Sequence, residues 1–340
     1  MIFVTGGAGH IGNVLVRDLV EKGERVRVLA LPGEDVGSLD GLNVEIVRGN
    51  ILNMEQLREA MSGARLVFHL ASFVALTADK YPLMRQVNIN GTANVISLCK
   101  ELGVERLVYT SSIHAFERVP EGIVVNEELS FDTENPDGLY DRTKAEATLL
   151  VLDAVKEGLD AVVVCPTGVV GPYDFKLSEL GEMIITWMKK RASVSTDGAY
   201  DFVDVRDVSK GHILAAEKGL SGEVYILGGE RLTIKAFRAM VQAANSIKTM
   251  AINIPAKLAL FVAPVAEFFY KLFKKRPKFT TYSIKTLLSN SHISYKKAIH
   301  ELGYQPRQLK ETIKDTVEWL KMNQSKLQHG LRMTSVKLTV

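Results

Sequence analysis

Apolar positions in the first half of the chain fall into short runs separated by stretches of helical period. Ile2-Phe3-Val4 opens the chain, and Ile11, Leu15 and Leu19 then recur at helical spacing with Val14 and Val16 beside them. Further apolar runs occupy 25–30, 44–47, 65–69, 106–110 and 161–165, with helical patterns near 54–61, 83–101 and 140–157. Short strands alternating with helices need crossover connections, which are right-handed and lay helices over both faces of a parallel sheet. The pattern predicts an α/β protein. A Rossmann-type doubly wound parallel sheet is expected over 1–165, with a return segment about 201–216, and a smaller C-terminal substrate-binding lobe over most of 166–323. Ligands of such sheets sit beyond the carboxyl ends of the strands, so the residues that follow each strand are the informative ones.

The second half departs from this rhythm. Residues 256–273 are apolar for nearly the length of a membrane span, but Lys257, Pro264, Glu267 and Lys271 interrupt them, which argues against insertion. Of two readings, helices forming a lid over an apolar substrate are preferred to an amphipathic patch over 256–276 touching a membrane surface, which Lys274-Lys275-Arg276 just after the apolar run keeps open. Residues 324–340 are polar and basic until 335–340, which alternate like a strand; they read as a disordered tail or as a strand for an exposed sheet edge.

Composition changes this picture little. A chain of 340 residues is long enough for a large core and a second lobe, and a formal net charge of +3 leaves no nucleic-acid footprint. Cys99 and Cys165 lie far apart in apolar segments and read as buried thiols. No grouping of His, Cys, Asp and Glu has metal-ligand spacing, so no metal is expected. Met1 leads directly into the first strand with no signal or transit segment, so a cytoplasmic location is expected.

The chemistry begins where the first strand runs into Thr5-Gly6-Gly7-Ala8-Gly9-His10-Ile11-Gly12. Unpaired N–H groups and the dipole at a helix start attract an anion, and glycines let the backbone approach a pyrophosphate. Strand before, helix after and alternation downstream mark a dinucleotide site. About twenty residues on, where an NAD enzyme usually carries an acid for the ribose 2′-hydroxyl, this chain has Ala30-Leu31. That leans toward NADP, although no arginine stands at 31 to take a 2′-phosphate. Asn50, after the third strand, either bonds the adenine amino group or is a turn asparagine. Ser111 and Ser112 end the fifth strand, and Tyr140 and Lys144 share one helix face through their i,i+4 spacing. A phenol titrates near ~10; an adjacent ammonium and an oxidised nicotinamide favour phenolate, which suits general acid–base work. His114 reads as a pocket wall or hydrogen-bonded loop residue rather than a second catalyst, because Tyr140 already provides the proton. His69, at a strand end, reads as a packing or backbone-bonding residue.

With these residues in place the chain resembles the extended short-chain dehydrogenase/reductase family, the NAD-dependent epimerase/dehydratase superfamily. The glycine loop, His69-Leu70-Ala71-Ser72, Asn88-Ile89-Asn90-Gly91-Thr92, Tyr109-Thr110-Ser111-Ser112, Tyr140-Asp141-Arg142-Thr143-Lys144 and the segment 166–172 carry the resemblance. The segments 202–208 and 297–306 extend it over nearly the whole chain. The resemblance implies an NAD(P)-dependent enzyme that moves a hydride to or from a carbonyl or alcohol carbon of a small, apolar substrate. Tyr140 would be the general acid/base, Ser112 would bond the substrate oxygen, and Lys144 would hold the nicotinamide ribose and depress the phenol. Gly6, Gly9 and Gly12, with the backbone of His10 and Ile11, would shape the pyrophosphate loop. Ile51, Leu70 and Ala71 would line the cofactor, Asn88 would fix its side, and Pro166 and Thr167 would contact the nicotinamide amide. Asn88 and Thr167 read equally well as hydrogen-bond partners of the backbone.

Within the family the pattern is closer to dihydroflavonol reductase-like and 3-beta-hydroxysteroid dehydrogenase-like members than to nucleotide-sugar epimerases or dehydratases, which are the alternative. Where epimerases set an arginine on the diphosphate this chain has Tyr200, and a phenol cannot replace a bidentate guanidinium there. Where dehydratases carry acids after the catalytic hydroxyl, Ser112 is followed by Ile113-His114. Tyr173, Asp174 and Phe175 either line the substrate pocket or form an ordinary loop. A non-catalytic dinucleotide-binding protein is the remaining alternative, disfavoured by the presence of Ser112, Tyr140 and Lys144. The family commonly pairs through a four-helix interface that includes the Tyr140 helix, so a homodimer is expected.

Overall fold

Residues 1–75, 78–136, 138–189, 192–247, 250–272 and 280–323, with Leu327, are described by a computed structural model of the chain. Its first half alternates as β1 (Ile2–Thr5), α1 (His10–Glu21), β2 (Val26–Ala30), β3 (Val44–Arg48), α2 (Met54–Met61) and β4 (Leu66–His69). It continues through α3 (Tyr81–Arg85), α4 (Gly91–Glu101), β5 (Arg106–Thr110), α5 (Leu139–Lys156) and β6 (Ala161–Pro166). Then follow β7 (Gly168–Val170), α6 (Glu179–Lys189), β8 (Ala192–Thr196), β9 (Ala199–Asp204), α7 (Val205–Lys218), β10 (Val224–Leu227) and β11 (Glu230–Thr233). The chain ends in α8 (Ile234–Asn245), β12 (Met250–Ile254), α9 (Ala256–Leu272), α10 (Thr281–Leu288) and α11 (Leu309–Met322).

Seven parallel strands form the main sheet in the order β3-β2-β1-β4-β5-β6-β10. The two-residue period of a strand sorts its side chains between two layers. Ile2 and Val4 pack with Leu15 and Leu19 of α1 and Val208 and Ile213 of α7. Phe3 turns the other way, to Leu57, Val95 and Val151 of α2, α4 and α5. The strand order reverses between β1 and β4, and the crevice beyond their carboxyl ends is where a doubly wound sheet takes its ligand.

Two elements differ from the sequence reading. The helix expected over 83–101 is broken into α3 and α4 by a π-helical turn, Gln86–Asn90, an insertion that such helices often carry at functional sites. The return segment near 201–216 supplies the end of β9 and α7, whose Val208 and Ile213 pack on the main sheet, and a further strand that the sequence reading lacks, β10, joins that sheet against β6. The second lobe carries two small sheets, β11-β9-β7 and β12-β8, with α6, α8 and α11 against them. Residues 256–272 form the single helix α9 with Pro264 inside it, and among the described residues no helix is long and apolar enough to cross a membrane. The expected tail, 324–340, lies outside the described residues except for Leu327, as do residues 273–276.

Candidate active site

At the switch point the β1 loop meets the β4 loop backbone to backbone. Gly6 has φ +73°, and a Cβ there would stand 2.7 Å from the amide nitrogen of Ala71. A Cβ on Gly12 would stand 2.1 Å from the Gly6 carbonyl oxygen, so the first turn of α1 closes onto the loop only without one. Gly9 is the N-cap of α1 and no side chain caps that first turn. A helix start free of side-chain caps, in a cradle with no Cβ, fits a pyrophosphate. His10 Nε2 lies 3.0 Å from the Pro172 carbonyl and Asn13 Nδ2 donates to Tyr173 O at 3.1 Å, which ties the loop to the 172–173 segment.

The carbonyl end of β2 holds Glu34, which the sequence puts in the loop after the strand and to which it gives no cofactor role. Gly33, at φ +77°, turns the chain back, and Glu34 Oε2 accepts the Leu31 N–H at 2.9 Å. Glu34 Oε1 pairs with Lys176 at 2.6 Å, and Arg48 donates to the carbonyls of Leu31 and Glu34. Asn50 makes a turn contact, its Oδ1 accepting the Leu52 N–H at 2.9 Å. The Ile51 side chain is buried, and a Cβ on Gly91 at the start of α4 would come within 2.5 Å of it.

Beyond β5, Ser112 hydrogen-bonds Tyr140 at the start of α5, and Lys144, one helix turn on, reaches back to the end of β5. Lys144 is buried, and its Nζ donates to the Tyr109 hydroxyl at 3.0 Å and the Thr110 carbonyl at 2.5 Å. Burial lowers its pKa to about 7. The Tyr140 phenol is pushed up to about 12 by burial and then by the neighbouring Asp141, while hydrogen bonds from Ser112 and Ser72 pull the other way. The lowered phenol expected from Lys144 is therefore not found in this arrangement: burial wins, and the ammonium is engaged with Tyr109 and Thr110. Ser112 caps the short turn after β5, its Oγ accepting the His114 N–H at 3.2 Å.

Around these residues run ordered hydrogen-bond chains. Thr92 Oγ1 donates its one hydrogen to Asn88 O, so it accepts from His69 Nε2–H; the neutral ring then accepts at Nδ1 from the Thr5 hydroxyl at 2.6 Å, and Thr5 Oγ1 accepts the Ala71 N–H. Burial drops the His69 pKa to about 3, so it is a neutral strut. Asn88, buried in the π-helical turn, binds Phe73 on both sides, the Ser72 hydroxyl and Thr143 Oγ1, which anchors the β4 loop to α5. Thr167 donates to Asp201 at 2.7 Å, and Asp201 also accepts the Gly229 N–H. Pro166 ends β6, where the β6–β10 pairing also ends.

The far wall comes from residues that sequence spacing did not connect. Asp141 is fully buried and accepts from Tyr282 of α10 at 2.5 Å, from Asn135 at 3.2 Å and from Arg118 at 3.3 Å. Tyr200 bonds His114 Nε2 at 2.8 Å and stacks on its ring. Only the adjacency of Asp141 to Tyr140 signals any of this in the sequence. Tyr173 and Phe175 pack toward Trp319 of α11, and Asp174 accepts the Ser178 N–H, so this loop is structural. Among the described residues no group of His, Cys, Asp and Glu is arranged to hold a metal ion.

Comparison with known proteins gives the geometry a family context. The profile of the 3-beta hydroxysteroid dehydrogenase/isomerase family matches residues 3–226. Sterol demethylase protein B of Methylococcus capsulatus is 33% identical over 323 residues, covering 94% of this chain and 97% of that protein. A putative dihydroflavonol 4-reductase of Synechocystis is 30% identical, with 93% of each chain covered. Among solved structures, the dTDP-glucose 4,6-dehydratase of Streptomyces venezuelae, with NAD and TYD bound, superposes with a TM-score of 0.77 at 20% identity, over 95% of this chain and 98% of that one. That likeness is one of fold.

Proposed function

The chain belongs to the 3-beta hydroxysteroid dehydrogenase/isomerase family and is an oxidoreductase of the extended short-chain class; from that premise we propose that it moves a hydride between NAD(P) and an oxygen-bearing carbon of an apolar, sterol-like substrate, with Tyr140 as general acid/base. The observation that supports this reading is the hydrogen bond between Ser112 and Tyr140, with Lys144 one helix turn on reaching the end of β5 and a glycine cradle suited to a pyrophosphate at the end of β1 in the same sheet. Bound there, the nicotinamide supplies or accepts the hydride. Tyr140, protonated at neutral pH, gives its proton to the substrate oxygen in the reductive direction. The Ser112 hydroxyl stabilises the charge that develops on that oxygen, and Lys144 would hold the nicotinamide ribose. Thr167, with Pro166 at the β6 end, would border the amide, and Leu70 and Ala71 would border the pyrophosphate.

The apolar substrate is supported by the sterol-acting relative and by Tyr200. Where a nucleotide-sugar enzyme carries a guanidinium, this chain has a phenol held by His114. For the cofactor, Glu34 changes the reading of Ala30-Leu31: a carboxylate at the end of β2 accepts a ribose 2′-hydroxyl and repels a 2′-phosphate. We infer NAD as the preferred form, in place of the lean toward NADP. The same family reading pairs two copies through a four-helix interface that includes α5, on which Leu149 and Leu150 stand exposed. The decisive test is Tyr140→Phe, which is expected to fold and bind NADH normally while losing turnover of an apolar ketone by ~10³-fold or more. Near-normal turnover would remove Tyr140 from the chemistry.

A further inference from the structure

One surface of the second lobe takes no part in this site. The inner side of α9 is formed by Ala256 and Ala263, buried, with Ala259, Leu260 and Tyr270 half-buried, and the helix packs against α10. Its outer side exposes Leu258 (52%), Phe261 (81%), Val262 (48%) and Val265 (56%). Positions i, i+3, i+4 and i+7 lie on one face, so these four make a continuous apolar stripe rather than scattered exposed residues. A contiguous apolar patch of this kind marks an interaction surface. A lid would bury its apolar side over a substrate, whereas here that side faces water.

Charge selects the occupant. From Ala256 to Thr280 the sequence holds six basic residues, Lys257, Lys271, Lys274, Lys275, Arg276 and Lys278, against the single acid Glu267. That net +5 in a chain of net +3 leaves −2 for everything else. Lys257 is exposed beside the stripe. A second copy of the chain would bring its own positive charge to the same face and be repelled. An anionic bilayer satisfies both features at once, taking the apolar stripe between its headgroups and the cations against its phosphates. We propose that the outer face of α9 docks the protein on an anionic lipid surface. This asks nothing of the hydride chemistry.

The test is sedimentation of the full-length protein with phosphatidylcholine vesicles and with phosphatidylcholine–phosphatidylglycerol vesicles at physiological salt. The protein is expected to pellet with the anionic vesicles, to stay in solution with the neutral ones, and to be released as salt rises. The double variant Phe261→Ser/Val265→Ser changes only exposed side chains and is expected to weaken vesicle partitioning by ~tenfold or more. Lys274→Glu/Lys275→Glu is expected to do the same through charge. Wild-type protein that stays in solution with both vesicles, or that pellets equally with both, would overturn the proposal. So would a Phe261→Ser/Val265→Ser variant that partitions like the wild type, or a wild-type dimer that this variant dissociates and that binds no vesicles. An NADH titration of the same samples reads the dinucleotide assignment separately, so either conclusion can fail alone.

Discussion

Lys144 is where stability and function should separate. The side chain is only 3% exposed, and burial lowers its pKa from the 10.5 of a free lysine to about 7. Because the folded value lies below the unfolded one, the unfolded chain binds more protons between them. Stability therefore rises with pH from about 7 to 10.5 and is lost again as pH falls from 10.5 to about 7. At ~1.36 kcal/mol per pKa unit, the ammonium costs the fold about 5 kcal/mol at low pH. Its two hydrogen bonds, to Tyr109 and Thr110, return ~1–3 kcal/mol each. Lys144→Met keeps the length of the side chain and removes both the cost and the return. The unfolding free energy of the wild type relative to Lys144→Met should then move in favour of the wild type by about 4 kcal/mol between pH 6 and pH 10. Urea unfolding followed by circular dichroism at pH 6, 8 and 10 measures this. A gap that is the same at all three pH values would refute a desolvated ammonium at this site. Turnover of the methionine variant should be low at every pH, so a gain in acid stability would come with a loss of function.

Three other outcomes are expected. Glu34→Gln removes the carboxylate at the Leu31 N–H while Arg48 and Lys176 remain, and should shift the ratio of NADPH to NADH dissociation constants toward NADPH by ~tenfold; fluorescence titration with both cofactors measures it. Gly12→Ala drives a Cβ against the Gly6 carbonyl oxygen and should lower NADH affinity by ~tenfold or more together with the melting temperature, as titration and thermal melting will show. Asp141→Asn removes the charge that raises Tyr140, Tyr200 and Tyr282, and should move the basic limb of the kcat/KM–pH profile to lower pH. An unmoved limb in that variant would mean that Tyr140 does not set it.

How much of this was legible depended on whether the determining contact is local. Strands β1, β4, β5 and β6 are short apolar runs walled off by helices, and with that alternation they have one reading. β10 is a four-residue run between Glu223 and Gly228, too short to carry a period, and it is a strand because β6 offers it a partner edge. The π-helical turn at 86–90 is silent in the pattern, since Met84, Val95 and Leu98 still face the core on both sides of it. The i,i+4 spacing brings Tyr140 and Lys144 onto one helix face, but it does not say where a four-carbon stem ends, and the Lys144 stem reaches back to β5. Tyr282 meets Asp141 across 141 positions of sequence, and no local signal predicts such a meeting.

Glu34 shows that locality alone is not enough. It lies within a few residues of the strand end, and sequence alone sets it in the following loop, because a ribose carboxylate is looked for at the strand terminus itself. The positive φ of Gly33 cancels that offset by reversing the chain, so that the carboxylate three residues on returns to the Leu31 N–H. An offset in sequence is an offset in space only while the backbone stays extended. A glycine after a strand should therefore prompt a search for the acid on its far side, and Glu34→Gln measures here whether that search found the group that reads the cofactor.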